Sequence, residues 1–226
     1  MNILVVAAHP DDEVLGCGAT MARLSREHTV YVAILGEGIT SRHPRREDTD
    51  ASVLRRLHAQ AREAAKRLGA RDVFLESLPD NRFDTVPLLD IVRHVERWVG
   101  DLRPDVIYTH HRGDLNVDHV LTYRAVLTAT RPAADMPVRE IYTFEVGSST
   151  EWAFASAGDA FRPTVFVPVE DTLEQKIEAL NVYDTETRAF PHPRSAEALR
   201  ARARHWGSTV GVGAAEAFEL VRAIRG

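Results

Sequence analysis

Short apolar runs alternate with amphipathic stretches of helical length over the first two-thirds of the chain. Residues 3–8 form one unbroken apolar run, Ile3-Leu4-Val5-Val6-Ala7-Ala8. Such a β-branched run predicts a strand buried on both faces of a parallel sheet. The pattern then predicts a helix over 13–27, a strand over 29–35, and a helix over 52–68 that stops with Gly69 at the C′ position. A short strand over 72–75, a helix over 87–102 and a strand over 105–109 follow, then a helix over 119–130 that ends before Pro132. Strands near 140–144 and 164–167 precede three helices, over 172–183, 196–205 and 214–224. Strand–helix alternation means βαβ units, hence an α/β fold of three layers around a mostly parallel, doubly wound sheet. No repeat, low-complexity tract or Pro/Gly/Ser-rich linker interrupts it, so residues 1–226 read as one domain.

In doubly wound sheets, ligands bind at the carboxyl ends of strands where the strand order reverses. In the common order 3-2-1-4-5 the first and fourth strands are neighbours at that point. The turn after Ala8 then faces the turn after Thr109. The first holds His9-Pro10-Asp11-Asp12-Glu13; the second runs from His110-His111-Arg112-Gly113-Asp114 through Asn116-Val117-Asp118 to His119. Two connections are longer than a link requires. Residues 36–50 carry two glycines, Arg42, His43, Pro44, Arg45 and Arg46, and residues 145–163 carry Gly147-Ser148-Ser149-Thr150-Glu151-Trp152. Each is either a lid or rim of the site or a plain connection, and 36–50 or 145–152 is expected to be mobile without substrate and to close over it.

Composition narrows the classes. At 44% hydrophobic and 27% charged residues, the chain has the balance of a folded protein rather than a disordered one. A formal charge of −5 argues against a broad grip on nucleic acid or an anionic membrane. No run approaches the ~18–20 apolar residues of a membrane span. The first residues lack a basic stretch before the apolar run, so they read as the opening strand of a cytoplasmic protein. Cys17, the only cysteine, rules out an internal disulfide and a Cys-rich metal site, and is expected to be a small buried hydrophobe.

The two polar turns suit a catalytic metal. Hydrolytic zinc takes three protein ligands from imidazole and carboxylate and keeps a fourth position for water. His9 and Asp12, three apart at a strand-to-helix turn, can close on one ion, with His119 as third ligand. Asp11 then lies beside the ion unbound, in the place of a base. Either cluster alone is equally a set of helix-start carboxylates, favoured as caps and by the macrodipole, with solvated loop histidines. Two such clusters at adjacent strand ends favour a site.

The string Ala8-His9-Pro10-Asp11-Asp12-Glu13 after an N-terminal strand, with Asp118-His119 opening a later helix, resembles the PIG-L/LmbE superfamily of zinc-dependent N-deacetylases. The likeness extends to Leu68-Gly69, Pro104-Asp105, Tyr108-Thr109-His110, Lys176, Leu180 and Tyr183. It also covers Gly113-Asp114-Leu115-Asn116 and Pro191-His192-Pro193-Arg194-Ser195, which are similar to a bacterial branch linked to surface polysaccharides or amino sugars. The resemblance implies a Rossmann-like, LmbE-type fold and one Zn2+ per chain held by His9, Asp12 and His119, with Asp11 as general base. It further implies an N-acetylated sugar substrate, cleaved to acetate and a free amine, and self-association up to hexamers. One position departs from the pattern. Many members carry His-x-Asp-His, where this chain has Asn116-Val117-Asp118-His119. Asn116 can donate to an oxyanion but cannot act as an acid. The proton for the amine then falls to Asp11, with His111 or His192 as alternatives.

Arg112, Asp114 and Asp118 are candidate substrate contacts, or else solvated loop and cap residues. His192 and Arg194 sit in a Pro-bracketed segment held over the pocket, or in a turn leading to a helix capped at Ser195. Asn81, Arg82 and Asp84 are candidate rim residues, and Trp152 is a sugar-stacking platform or a packing residue. A metal-dependent phosphoesterase would need a further acidic cluster for a second metal, and none is visible. A nucleotide-binding module would need Gly-x-Gly-x-x-Gly; the chain has only Gly16 and Gly18.

Overall fold

The computed structural model describes residues 1–154 and 158–225. Seven strands form one sheet: β1 Asn2–Ala7, β2 Thr29–Gly36, β3 Asp72–Leu78, β4 Val106–His110, β5 Glu140–Phe144, β6 Val165–Pro168 and β7 Ala215–Ala223. The helices are α1 Asp12–Leu24, α2 Ala51–Arg67, α3 Leu88–Leu102, α4 Val117–Ala129, α5 Leu173–Leu180 and α6 Ala196–Val210. The sheet order is β3-β2-β1-β4-β5-β7-β6. The first five strands are parallel, as the alternation predicts, and β7 is antiparallel to both its neighbours.

β1 shows why its sequence is apolar without alternation. Ile3, Val5 and Ala7 join the core beneath α1, α2 and α5, while Leu4, Val6 and Ala8 join the core beneath α3 and α4. Both faces are covered, and each fully buried Val, Leu or Ile stabilises the fold by about 1.5–3 kcal/mol. β1 lies between β2 and β4, so the order reverses beside it and the turns after β1 and β4 meet. The contact is direct: His110 Nε2 accepts from Ala8 N at 2.9 Å.

The helix expected over 214–224 is a strand. Ala, Glu and Leu favour helices in isolation, but tertiary pairing overrides that preference. β7 pairs with β6 along its first half and with β5 along its second, and Ala215, Ala217 and Phe218 are buried.

Both long connections are tied down. In 36–50, Ser41 N donates to Asp80 at 3.0 Å, Arg42 pairs with Glu186 at 2.5 Å, and Arg46 pairs with Glu37. In 145–163, Ser149 and Thr150 donate to the Asp114 carboxylate; residues 155–157 of that segment lie outside the described residues. Among the described residues, no helix is long and apolar enough to cross a membrane.

Candidate active site

The turn joining β1 to α1 is shaped around its carboxylates. His9 N donates to Asp12 Oδ2 at 2.8 Å, and Asp11 N donates to Glu13 Oε2 at 3.1 Å. Tyr183 OH holds the other Glu13 oxygen at 2.6 Å. Asp11 has φ 105°, unusual for any residue but glycine. Such backbone costs of order 1–3 kcal/mol and persists only where surrounding bonds over-determine it. Asp11 stands at the N-cap yet makes no side-chain cap bond. Its carboxylate instead accepts from Arg194 Nη1 at 2.7 Å. Asp11 is therefore not merely a helix cap.

His9, Asp12 and His119 converge, with ligand atoms all within 4.8 Å of one another. Asp12 Oδ2 lies 3.5 Å from His9 Nδ1 and 3.2 Å from His119 Nε2. Each imidazole has a second carboxylate at its other nitrogen. His9 Nε2 meets Asp118 Oδ2 at 2.9 Å. His119 Nδ1 lies 3.2 Å from Asp114 Oδ1, off the line of a hydrogen bond. Metal-ligating histidines usually have a carboxylate behind them in this way. Two imidazoles and one carboxylate, all buried, are a donor set that fits a divalent cation.

The electrostatics agree with that fit. Burial opposes charge on His9, but hydrogen bonds to Asp118 and Asp12 outweigh it and raise its pKa to about 10. Burial likewise opposes charge on His119, and Asp12 and Asp114 raise it to about 9. Burial resists ionisation of Asp12, yet His119 foremost holds its carboxyl well below the usual range. Acid outweighs base around these rings, so the cluster attracts positive charge. His110 differs: burial lowers its pKa to about 3. It stacks on His119 at 3.9 Å, and since its Nε2 accepts from Ala8 its proton sits on Nδ1.

The cluster opens on a cavity of about 150 Å³ whose walls include Arg42, Asp80, Asn116, Ser148, Glu186 and Arg194. That is below the roughly 300–1,000 Å³ of pockets that enclose a drug-sized ligand; it suits one end of a substrate. Residues 4–130 match the family described as PIG-L, GlcNAc-PI de-N-acetylase. The chain belongs to the PIG-L family. This PIG-L chain is 31% identical over 185 residues to the uncharacterised deacetylase YaiS of Escherichia coli K12, covering 79% of this chain and 88% of that one. It is 30% identical over 163 residues to the 1D-myo-inositol 2-acetamido-2-deoxy-alpha-D-glucopyranoside deacetylase of Geodermatophilus obscurus, covering 61% and 55%. Its fold also matches GalB, the 4-carboxy-2-hydroxymuconate hydratase of Pseudomonas putida KT2440, with TM-score 0.76, 20% identity, and 100% and 98% of the two chains covered. Fold alone therefore does not name the bond that is broken.

Of the residues singled out in the PIG-L chain's sequence, His9, Asp11, Asp12, Asn116, His119 and Arg194 meet at the cavity. Asn116 also caps α4, accepting from Asp118 N at 2.9 Å, and donates Nδ2 to Asn81 at 3.0 Å. Ser195 caps α6, so the 191–195 segment serves both as turn and as the mount of Arg194. Several expected contacts face elsewhere. Asp118 is fully buried, receiving Phe83 N and His9, and Asp114 receives Ser149 and Thr150. Neither is placed to touch substrate. His111 Nδ1 faces Glu219 and its Nε2 faces Asp159 O, each at 2.7 Å, and Arg112 donates to Gly158 O at 2.5 Å. Trp152 and His192 meet edge-on at 5.8 Å, outside the cavity. Asn81 lines the cavity as expected; Arg82 and Asp84 do not.

Asp80 and Glu186 are the residues that sequence reasoning missed. Asp80 supplies the third acid absent from the linear reading, completing a second group with His9 and Asp118. Its oxygens are already engaged by Ser41 N, Ser41 Oγ and Asn81 Nδ2, which argues against a second cation there. The nearest signal is its position in the turn two residues beyond β3, one residue before Asn81.

Proposed function

We propose that this chain is a zinc-dependent hydrolase that removes the N-acetyl group from an amino sugar or sugar conjugate, releasing acetate and a free amine. The observation that carries the reading is the Asp11 carboxylate, held by Arg194 and outside the His9, Asp12 and His119 group, yet lining the same cavity. His9, Asp12 and His119 would hold the zinc, which when bound would supply Lewis acidity to the amide carbonyl and to water. Asp11 takes the proton from the attacking water and returns it to the departing nitrogen. Arg194 keeps this carboxylate oriented and favours its ionised form, while burial favours the protonated form. One carboxyl thus serves as base and then as acid. Asn116 retains a second Nδ2 proton beyond the one given to Asn81, a donor for the developing oxyanion. Asp118 and Asp114 orient His9 and His119. The polar wall of Arg42, Asp80, Ser148 and Glu186 suits sugar hydroxyls. The name of the Geodermatophilus relative points to the same substrate class.

The test is a free-amine assay of zinc-loaded and metal-stripped protein against N-acetyl monosaccharides, nucleotide sugars and thiol glycosides. Metal-dependent amine release from at least one class is expected. Equal activity with and without metal would sink the zinc reading.

A further inference from the structure

Helix α1 is broken midway, and two buried charges that the proposed chemistry does not use fill the break. Cys17 leaves helical geometry at φ −144° and ψ 24°, between Gly16 and Gly18. A break deprives carbonyls on one side and N–H groups on the other of their helical partners. Two side chains from distant elements replace them. Lys176, on α5, donates Nζ to Leu15 O at 2.7 Å. Glu216, on β7, accepts from Ala19 N at 3.2 Å and Thr20 N at 2.7 Å. Lys176 and Glu216 also pair with each other at 2.6 Å, their side chains 7% and 6% exposed.

A buried ion pair is weak ground for stability, because desolvation offsets the attraction. Its location is what matters here. The segment before the break carries Asp12 and Glu13 and begins directly after Asp11. Gly16 packs so closely on Phe144 that a Cβ there would run into the ring. Phe144 meets His110 edge-on at 5.0 Å, and His110 stacks on His119. The first turn of α1 is thus fitted against the ring stack that ends in His119. A continuous helix would need neither Lys176 nor Glu216, and its first turn would follow the axis of the second half.

We propose that Lys176 and Glu216 are positioning residues: bridging the break in α1, they set the direction of its first turn and so the placement of Asp11 and Asp12 against His9 and His119. The inference rests on reading that cluster as a metal centre.

The test uses the full chain titrated with Co2+, whose visible absorption reports ligand geometry. Lys176→Met alone leaves a buried carboxylate without its cation and is expected to destabilise the fold. The double variant Lys176→Met, Glu216→Gln removes both charges while a side-chain carbonyl still faces Thr20 N. Glu216→Gln alone leaves the Lys176 ammonium without its counter-charge, though Lys176 keeps its bond to Leu15 O. Thermal unfolding identifies which variants fold. A folded variant is expected to bind Co2+ about 10–100-fold more weakly, as when residues that orient metal ligands are replaced. Its visible bands should change in intensity, and kcat should fall more than KM shifts. Wild-type Co2+ affinity and spectrum in a folded variant would overturn the proposal. Failure of all three variants to fold would make the pair structural only, and overturn it too. Absence of Co2+ binding by the wild-type chain would remove the metal reading beneath it, a separate and distinguishable failure.

Discussion

Arg194 donates from Nη1 to the Asp11 carboxylate at 2.7 Å, although 183 positions separate the two in the chain. Burial pushes the Asp11 carboxyl well above the usual range, and the guanidinium opposes that push. Removing the cation therefore raises the pKa of the base. The acid limb of kcat/KM against pH is expected to move to higher pH in Arg194→Met, because ionised Asp11 is then reached later. An unmoved limb would detach Arg194 from catalysis.

Asp11→Asn should keep its metal and its fold while turnover falls by about 10²–10⁴-fold, the range for loss of a general base. Steady-state kinetics with metal analysis of the same preparation checks this. His192→Ala should cost much less, since that ring lies outside the cavity. If His192→Ala proves as inactive as Asp11→Asn while fully loaded, the proton reaches the amine from the histidine.

His9→Ala and His119→Ala are each expected to lose bound zinc. In the metal-free chain these imidazoles have pKa values of about 10 and 9, so both are protonated at pH 7. Ligation takes one proton from each, so binding should release about two protons per cation and strengthen as pH rises. Calorimetric titration in buffers of different ionisation enthalpy counts them. Release of none would contradict the ligand assignment.

Asp114→Ala should weaken metal affinity about 10–100-fold, as expected when the carboxylate behind a ligating histidine is lost. Asp114 also anchors Ser149 and Thr150, so protease cutting within 145–154 should increase in the same variant. Unchanged affinity together with unchanged cutting would count against both roles.

Much of this arrangement is readable before folding, and the exceptions have physical causes. The 3–8 run and the order around β1 follow from apolar patterning, so the meeting of the two motif turns does as well. Asp118 and Asp114 are conspicuous in the sequence, but spacing does not say which way a side chain turns. Both face backward onto histidines rather than forward into the cavity. Asp80 is a single acid in a short turn, and it gains meaning only through His9. β7 is rich in the helix formers Ala, Glu and Leu, and its pairing with two strands makes it extended. Lys176 and Glu216 are joined solely by tertiary structure.

His111 is expected to matter for stability rather than turnover. Both its nitrogens face acceptors, Glu219 and the Asp159 carbonyl, which requires the charged imidazolium. Burial lowers its pKa, but these partners leave it raised above 6.5. The stabilisation is therefore complete below that value and is lost as pH climbs through the raised one. His111→Ala should lose about 1.5–3 kcal/mol at pH 6, the scale of hydrogen bonds to charged groups, and less at pH 9. Denaturant unfolding at both pH values measures the difference. Equal losses at the two would mean the ring is neutral.

β7 carries two acids that reach back to segments made long before it: Glu216 to the break in α1, and Glu219 to His111 and the N–H of Arg162. Ribosomes deliver a chain N-terminal end first, so the motif turns emerge while β7 is still unmade. Until residues 215–223 appear, β5 and β6 stand as open edges, Lys176 has no counter-charge, and the second half of α1 lacks the acceptor for its first N–H groups. Assembly of the candidate site thus runs against reading order: residues 9–12 emerge well before residues 215–223, the strand whose Glu216 bonds the second half of α1.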